Sequence, residues 1–162
     1  MRADNARWRV WQLVGSLVRE KYGDDYEGSI LDVGCRSGMG RNFLPPTQNW
    51  IGIQQGGSLR RDVPNIHTSN FLAGGHLPMA EVVVAIGLDK YGPDAPKVVQ
   101  RVAGATLDYG TAFVEYQGED PKVALRWMQA EFSSVETYKR DGPVLKFWVY
   151  VGTKPRRAEW AE

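Results

Sequence analysis

The chain has 162 residues, 43% of them hydrophobic and 24% charged, and a net charge of +1. That length supports one domain with its own core, and the composition is that of an ordinary soluble globular protein. The small net charge supplies no bulk field toward nucleic acid or membrane, no apolar run approaches the ~18 residues of a membrane span, and the lone Cys35 excludes an internal disulfide. Together with a start that lacks an apolar leader, the single cysteine predicts a reducing, cytoplasmic setting.

Asp4 to Tyr22 reads as an amphipathic helix, with Trp8, Trp11, Leu13, Val14, Leu17 and Val18 at helical spacing. Its Arg7, Arg9 and Arg19 fit a solvated face or a basic edge turned to a ligand. Gly23-Asp24-Asp25 ends it. Ser29 to Val33 is the first strand, followed by a short helix from Gly38 to Leu44 that Pro45-Pro46 stops. Trp50 to Gln54 is the second strand, Ser58 caps a helical turn over Leu59 to Asp62, and Asn65 to Ser69 is a brief third strand. Glu81 to Ile86 is continuously apolar after its first residue, as expected of a strand covered on both faces. The loop Gly87 to Pro93 leads to a helix over Ala95 to Leu107 and a strand over Thr111 to Tyr116. Asp120-Pro121 is a capping acid followed by proline at the first helical position, and that helix runs to Glu131. Phe132 to Tyr138 and Leu145 to Val151 form a hairpin across Lys139 to Pro143, whose Asp-Gly pair signals the turn. From Lys154 the chain reads as a polar, frayed tail in which Trp160 is free to dock.

Five strand–helix alternations closed by a hairpin predict an α/β fold, a doubly wound, mostly parallel seven-stranded sheet with an antiparallel C-terminal hairpin. The reading is of a single domain over 1–162, with a lead-in over 1–28, a core over 29–153 and a tail over 154–162. Ligands in such sheets lie at the carboxyl ends of the strands where strand order reverses. That gathers Asp32 to Gly40, Gln54-Gln55, Asn70-Phe71 and Gly87 to Tyr91 around one crevice. Glycine suits this turn, because it accepts positive φ and leaves room for a ligand to approach the backbone.

Ile30-Leu31-Asp32-Val33-Gly34-Cys35-x-Ser37-Gly38 resembles the first motif of the class I S-adenosylmethionine-dependent methyltransferases. Trp50 to Gln54, Ala80 to Ile86 and the closing helix and hairpin match that family's second, fourth and last two strands, so the resemblance spans almost the whole chain. It implies a Rossmann-like methyltransferase fold, with S-adenosylmethionine held by Asp32, Gly34, Cys35, Arg36, Gly38, Gln54, Gln55, Asn70, Phe71, Ile86 and Gly87. Asp89, Lys90 and Tyr91 fall where the family presents groups to its substrate, the methyl acceptor being a small molecule or an exposed side group, and Asp89 is either a base for the acceptor or a surface loop acid.

Three positions depart from the family pattern. Arg36 replaces a glycine, Gln54 replaces the acid that grips the ribose hydroxyls, and Asn70 replaces an acid near the adenine. Losing one charged hydrogen bond costs about 1.5–3 kcal/mol, roughly ten- to a hundredfold in affinity, and glutamine recovers part of it. Arg36 either swings out to meet a carboxylate or fills the pocket. The alternative function is therefore a catalytically inactive module of the same fold that binds a partner chain, and homo-oligomerisation remains open. No metal site is expected, since His67 and His76 lack a matching ligand pair. The spacing Gly34-x-x-x-Gly38-x-Gly40 does not fit the dinucleotide fingerprint, and no Walker-type lysine is present.

Overall fold

The computed structural model describes residues 3–55, 65–143 and 145–157, with side chains from residue 7 onward. The strands are β1 (Ile30–Val33), β2 (Trp50–Gln54), β3 (Ile66–Thr68), β4 (Ala80–Ala85), β5 (Thr106–Tyr116), β6 (Phe132–Asp141) and β7 (Lys146–Pro155), and the helices α1 (Ala3–Tyr22), α2 (Ala95–Ala105) and α3 (Pro121–Glu131). All seven strands form one sheet in the order β3-β2-β1-β4-β5-β7-β6. The first five are parallel, whereas β7 runs antiparallel to both β5 and β6. This is the expected doubly wound sheet with its antiparallel hairpin. The order reverses between β1 and β4, which places the crevice at Val33 and Ala85.

Side-chain alternation along the strands builds two cores. Leu31, Val33, Val83, Ala85 and Val114 meet Val98, Val99 and Val102 of α2 and Ala124 and Met128 of α3. Ile30, Val82, Val84 and Phe113 on the opposite face meet Val10, Trp11, Val14 and Val18 of α1. The apolar run in β4 is thus explained by burial from both sides. Asp120 caps α3 as expected, its side chain accepting from Val123 N at 3.2 Å.

Four boundaries differ from the sequence expectation by more than one residue. Only Met39–Asn42 winds after β1, as a 3-10 turn, and the carbonyls that follow it, Phe43 O and Leu44 O, accept from the Arg19 guanidinium. β5 begins at Thr106, so Leu107 is strand and not helix; the Thr106 hydroxyl donates to Val102 O at 2.7 Å, and a register shift between Ala80 and Val82 absorbs the extra residues. β6 continues to Asp141, which shortens the hairpin link. Lys154 and Pro155 belong to β7 rather than to a frayed tail, with Pro155 paired to Phe132 and the Arg156 N–H donating to Glu131 O at 2.7 Å. Trp8 leaves the helix's buried stripe; it is 48% exposed and packs edge-on against Phe43. The turn expected over Leu59 to Asp62 and the docking of Trp160 fall outside the described residues. No described helix is long and apolar enough to cross a membrane.

Candidate functional site

The turn after β1 is fastened to β2, because Gly34 N and Cys35 N both donate to Ile53 O at 2.7 and 3.0 Å. Its left-handed residues alternate: Gly34 at φ 74°, Arg36 at φ 50° and Gly38 at φ 80°. Arg36 therefore keeps a glycine-like backbone with a full side chain, a conformation that costs a non-glycine residue about 1 kcal/mol or more. The residue is exposed at the mouth of the crevice, and among the described residues it makes no ion pair with Asp32.

Asp32 lies under this turn, 1% exposed, and its Oδ2 has no hydrogen-bond partner among the described atoms. Burial pushes its carboxyl up to about 8. The Cys35 thiol is pushed up to about 12 by burial and then by the nearby Asp32, so it is no nucleophile at neutral pH.

A cavity of about 310 Å³ opens beside the turn, lined by Gly34, Arg36, Gln54, Gln55, Ile86, Gly87, Lys90 and Tyr91. A smaller one, about 20 Å³, lies on the α1 side of the same turn and includes Arg7, Trp11, Cys35, Arg36 and Ile86. The Gln54 and Gln55 Oε1 atoms are buried and unpartnered. Gln55 Nε2 donates to Asn70 Oδ1 at 2.6 Å, which ties the end of β2 to the segment after β3. Phe71 is fully buried and packs edge-on against the Tyr91 ring, with centroids 6.3 Å apart. The Tyr91 hydroxyl reaches over Gly34, where a Cβ would lie only 2.4 Å from it.

The turn after β4 is clasped from β5. Glu115 is fully buried, accepts from Gly87 N at 2.8 Å and from Gln117 Nε2 at 2.7 Å, and is pushed up to about 7 by burial against the lowering effect of those bonds. Asp89 Oδ1 accepts from Gln117 N at 2.9 Å, so Asp89 turns toward β5 and lines neither cavity. Replacing Glu115 by alanine strands a buried amide N–H, at about 1–3 kcal/mol, and leaves a void besides. Glu115→Ala is expected to destabilise the fold by roughly 3 kcal/mol in urea unfolding, and Glu115→Gln by less. A loss below roughly 1 kcal/mol for the alanine variant would show that the clasp does not hold the turn.

Of the residues the sequence singled out, Gly34, Arg36, Gln54, Gln55, Ile86, Gly87 and Tyr91 share the larger cavity, and Cys35 joins the smaller. Asp32 supports the turn from below, Gly38 ends it, and Asn70 and Phe71 act on the cavity through Gln55 and Tyr91. Lys90 and Arg7, which the sequence offered within the Gly87 to Tyr91 loop and as part of a basic helix edge, line these cavities, whereas the clasping role of Glu115 escaped sequence reasoning. Lys90 stands beside Asp89 in the same loop, and only the turn's winding selects which of the two faces inward. A larger cavity, about 560 Å³, lies between Arg9, Gln12 and Leu13 of α1 and Arg140, Asp141, Gly142 and Leu145 of the hairpin. It shares no lining residue with the cavities at the turn.

No family model and no curated protein sequence matches this chain. Solved structures do. The N-methyltransferase NodS of Bradyrhizobium japonicum superposes with a TM-score of 0.69 at 11% identity, over 96% of this chain and 100% of that one. The magnesium protoporphyrin IX methyltransferase of Synechocystis, solved with S-adenosylmethionine bound, gives 0.71 at 11% identity over 91% and 80%. The 1,6-didemethyltoxoflavin-N1-methyltransferase of Burkholderia thailandensis, solved with its substrate and S-adenosylhomocysteine, gives 0.70 at 13% identity over 94% and 83%. With these superpositions covering nine-tenths or more of its length, the chain has the fold of the class I S-adenosylmethionine-dependent methyltransferases.

Proposed function

We propose that this chain is an S-adenosylmethionine-dependent methyltransferase acting on a small molecule. The observation that carries the reading is the gathering of three buried, unpartnered acceptors, Asp32 Oδ2, Gln54 Oε1 and Gln55 Oε1, around an open left-handed glycine turn. Buried acceptors left without donors cost stability, and they persist where a ligand supplies the donors. S-adenosylmethionine carries donors of the right kind in its ammonium group, its ribose hydroxyls and its adenine amino group, so the residues present fit it. Gln54 and Gln55 would take the ribose side, Asn70 and Phe71 the adenine side, and Asp32 with Gly34 the amino-acid end. When bound, the cofactor supplies a methyl group already activated on a sulfonium.

The protein's own contribution is positioning. Glu115 fixes the Gly87 turn, and Phe71 backs Tyr91. The left-handed Gly87 and Gly92 bracket the segment that carries Tyr91, giving it pivots by which its hydroxyl leaves Gly34 as a ligand enters. Asp89, committed to Gln117 N, is not placed as a base. The small neighbouring methyltransferase substrates support a small-molecule acceptor by analogy of fold. A silent module would fold Arg36 into the vacant space, and Arg36 instead stands exposed at the rim. Calorimetric titration with S-adenosylhomocysteine is the test: saturable binding is expected, and no heat at millimolar ligand would sink the reading.

A further inference from the structure

Helix α1 presents a different set of residues on each flank. Arg7 and Trp11 border the small cavity at the turn after β1, whereas Arg9, Gln12, Leu13 and Ser16, at helical spacing on the opposite side, face the β6–β7 hairpin. The cavity of about 560 Å³ lies on that second flank, with the buried Leu13 and Phe147 as its apolar surface. A further cavity, about 320 Å³, involves the same elements, and the buried Leu17, Phe113 and Val151 line it. The strand register sets their order, because Arg140 pairs with Phe147, Tyr138 with Val149 and Glu136 with Val151. The two cavities thus succeed one another in a trough between α1 and the hairpin, and Arg9 to Glu20 spans roughly 16 Å of helix. The charge of the trough changes sign along its length. Arg9 and Arg140 border the first cavity, where Asp141 is the one carboxylate among the described lining residues and is held by Lys139 Nζ at 3.2 Å. Among the described residues Arg9 forms no hydrogen bond or ion pair, and Arg140 donates to the Lys139 carbonyl alone, at 3.0 Å. Glu20 and Glu136 border the second cavity, with Lys21 as its one described cation.

The geometry points to an amphipathic carboxylate, an unbranched aliphatic acid, as the ligand of this trough, its head between Arg9 and Arg140 and its chain over Leu13 and Phe147 toward Val151. The planar guanidinium fork accommodates both oxygens of a carboxylate. Buried apolar side chains with a few convergent charged and polar groups, in a volume of about 560 Å³, are the make-up of a small-molecule cleft. The chain gains by leaving water for the apolar floor. The reversal of charge fixes one direction of binding, since a carboxylate at the far end would stand beside Glu20 and Glu136. This site is independent of the methyltransferase reading: it shares no lining residue with the cavities at the turn, and the body of α1 stands between them.

The test is calorimetry on the full chain with butyrate, octanoate and dodecanoate, each below its aggregation limit, and with octanol as the uncharged control. Dodecanoate is expected to bind saturably, one per chain, and affinity to rise about twofold or more per added methylene. Octanol should bind at least about tenfold more weakly than octanoate, and added salt should weaken the acids alone. Arg9→Gln and Arg140→Gln should each weaken dodecanoate by about tenfold, with thermal melts unchanged because both side chains are exposed. Ser16→Trp, which fills the trough from an exposed position on α1, should abolish binding in a folded protein. The proposal is overturned if no acid binds, if affinity ignores chain length or head charge, or if these variants bind as well as the parent. Displacement of dodecanoate by S-adenosylhomocysteine overturns it too, since that would put the acid in the cofactor's cavity. So does a dimer in sedimentation velocity that dodecanoate leaves intact and Ser16→Trp dissociates, because a second copy of the chain would then cover the trough. Failure of S-adenosylhomocysteine to bind, with dodecanoate binding as described, defeats the methyltransferase reading alone.

Discussion

Asp32→Asn is expected to raise the unfolding temperature near pH 8 by roughly 10 °C while weakening the binding of S-adenosylhomocysteine. The stability half follows from linkage. Asp32 ionises near 3.8 when unfolded, but in the native protein burial raises its carboxyl to about 8. Between those values the folded state holds a proton that the unfolded state has lost, so stability is greatest below the unfolded value and declines as pH rises toward the folded one. Each unit is worth about 1.4 kcal/mol, which makes the decline on the order of 6 kcal/mol across the window from 3.8 to about 8. Asparagine is close in shape to the protonated acid and does not titrate. The two proteins should therefore match near pH 4 and diverge steadily to pH 8, with Glu115 adding a decline of the same sign to both over the narrower range between 4.5 and about 7. Thermal melts across this range check it, and parallel curves would mean that Asp32 is not buried as a neutral acid. The binding half follows from the orphaned Oδ2, which asparagine turns into either a poorer acceptor or a donor. A stabilising substitution that impairs binding is the mark of a residue retained for a ligand.

Gly34→Ala should do the opposite, destabilising the protein by roughly 3 kcal/mol and abolishing S-adenosylhomocysteine binding. Two separable causes contribute. Alanine at φ 74° is strained by about 1 kcal/mol, and the new Cβ would stand 2.4 Å from the Tyr91 hydroxyl. The next nearest Tyr91 atom, Cζ, is 3.7 Å away, an ordinary contact. Removing the hydroxyl with Tyr91→Phe should therefore recover the steric share of the loss and leave the backbone strain. A double-mutant cycle over Gly34→Ala and Tyr91→Phe measured by urea unfolding is expected to show coupling above roughly 1 kcal/mol. Additive effects would place the tyrosine elsewhere. Binding should stay lost in the double variant, because the methyl group still occupies the surface against which the ligand lies.

The clearest elements in the sequence were those whose cause is local. The apolar run through Val82, Val83 and Val84 is a strand buried from both sides, and Asp120-Pro121 does start a helix with its side chain on Val123 N. The glycine spacing around Gly34 and Gly38 marked a left-handed turn, and the alternation of elements gave the sheet. The misplaced boundaries coincide with distant contacts. No local signal near Leu44 reveals that Arg19 claims its carbonyl, and the start of β5 at Thr106 depends on a register shift against Ala80.

The same division runs through the site. The sequence by itself determined where a ligand should lie, because the turn chemistry of Asp32 to Gly38 and the strand order it implies are encoded in neighbouring residues. Only the tertiary structure decided which side chains meet there. Arg36 stands exposed at the rim of both cavities, Tyr91 covers Gly34, Asp89 turns to Gln117 and leaves Lys90 facing the cavity, and Glu115 clasps Gly87 from the next strand. Those choices depend on pairs of residues far apart in the chain, whose contact free energy is realised only once the sheet has brought them together. Hydrophobic periodicity and turn propensity carry no record of such pairs.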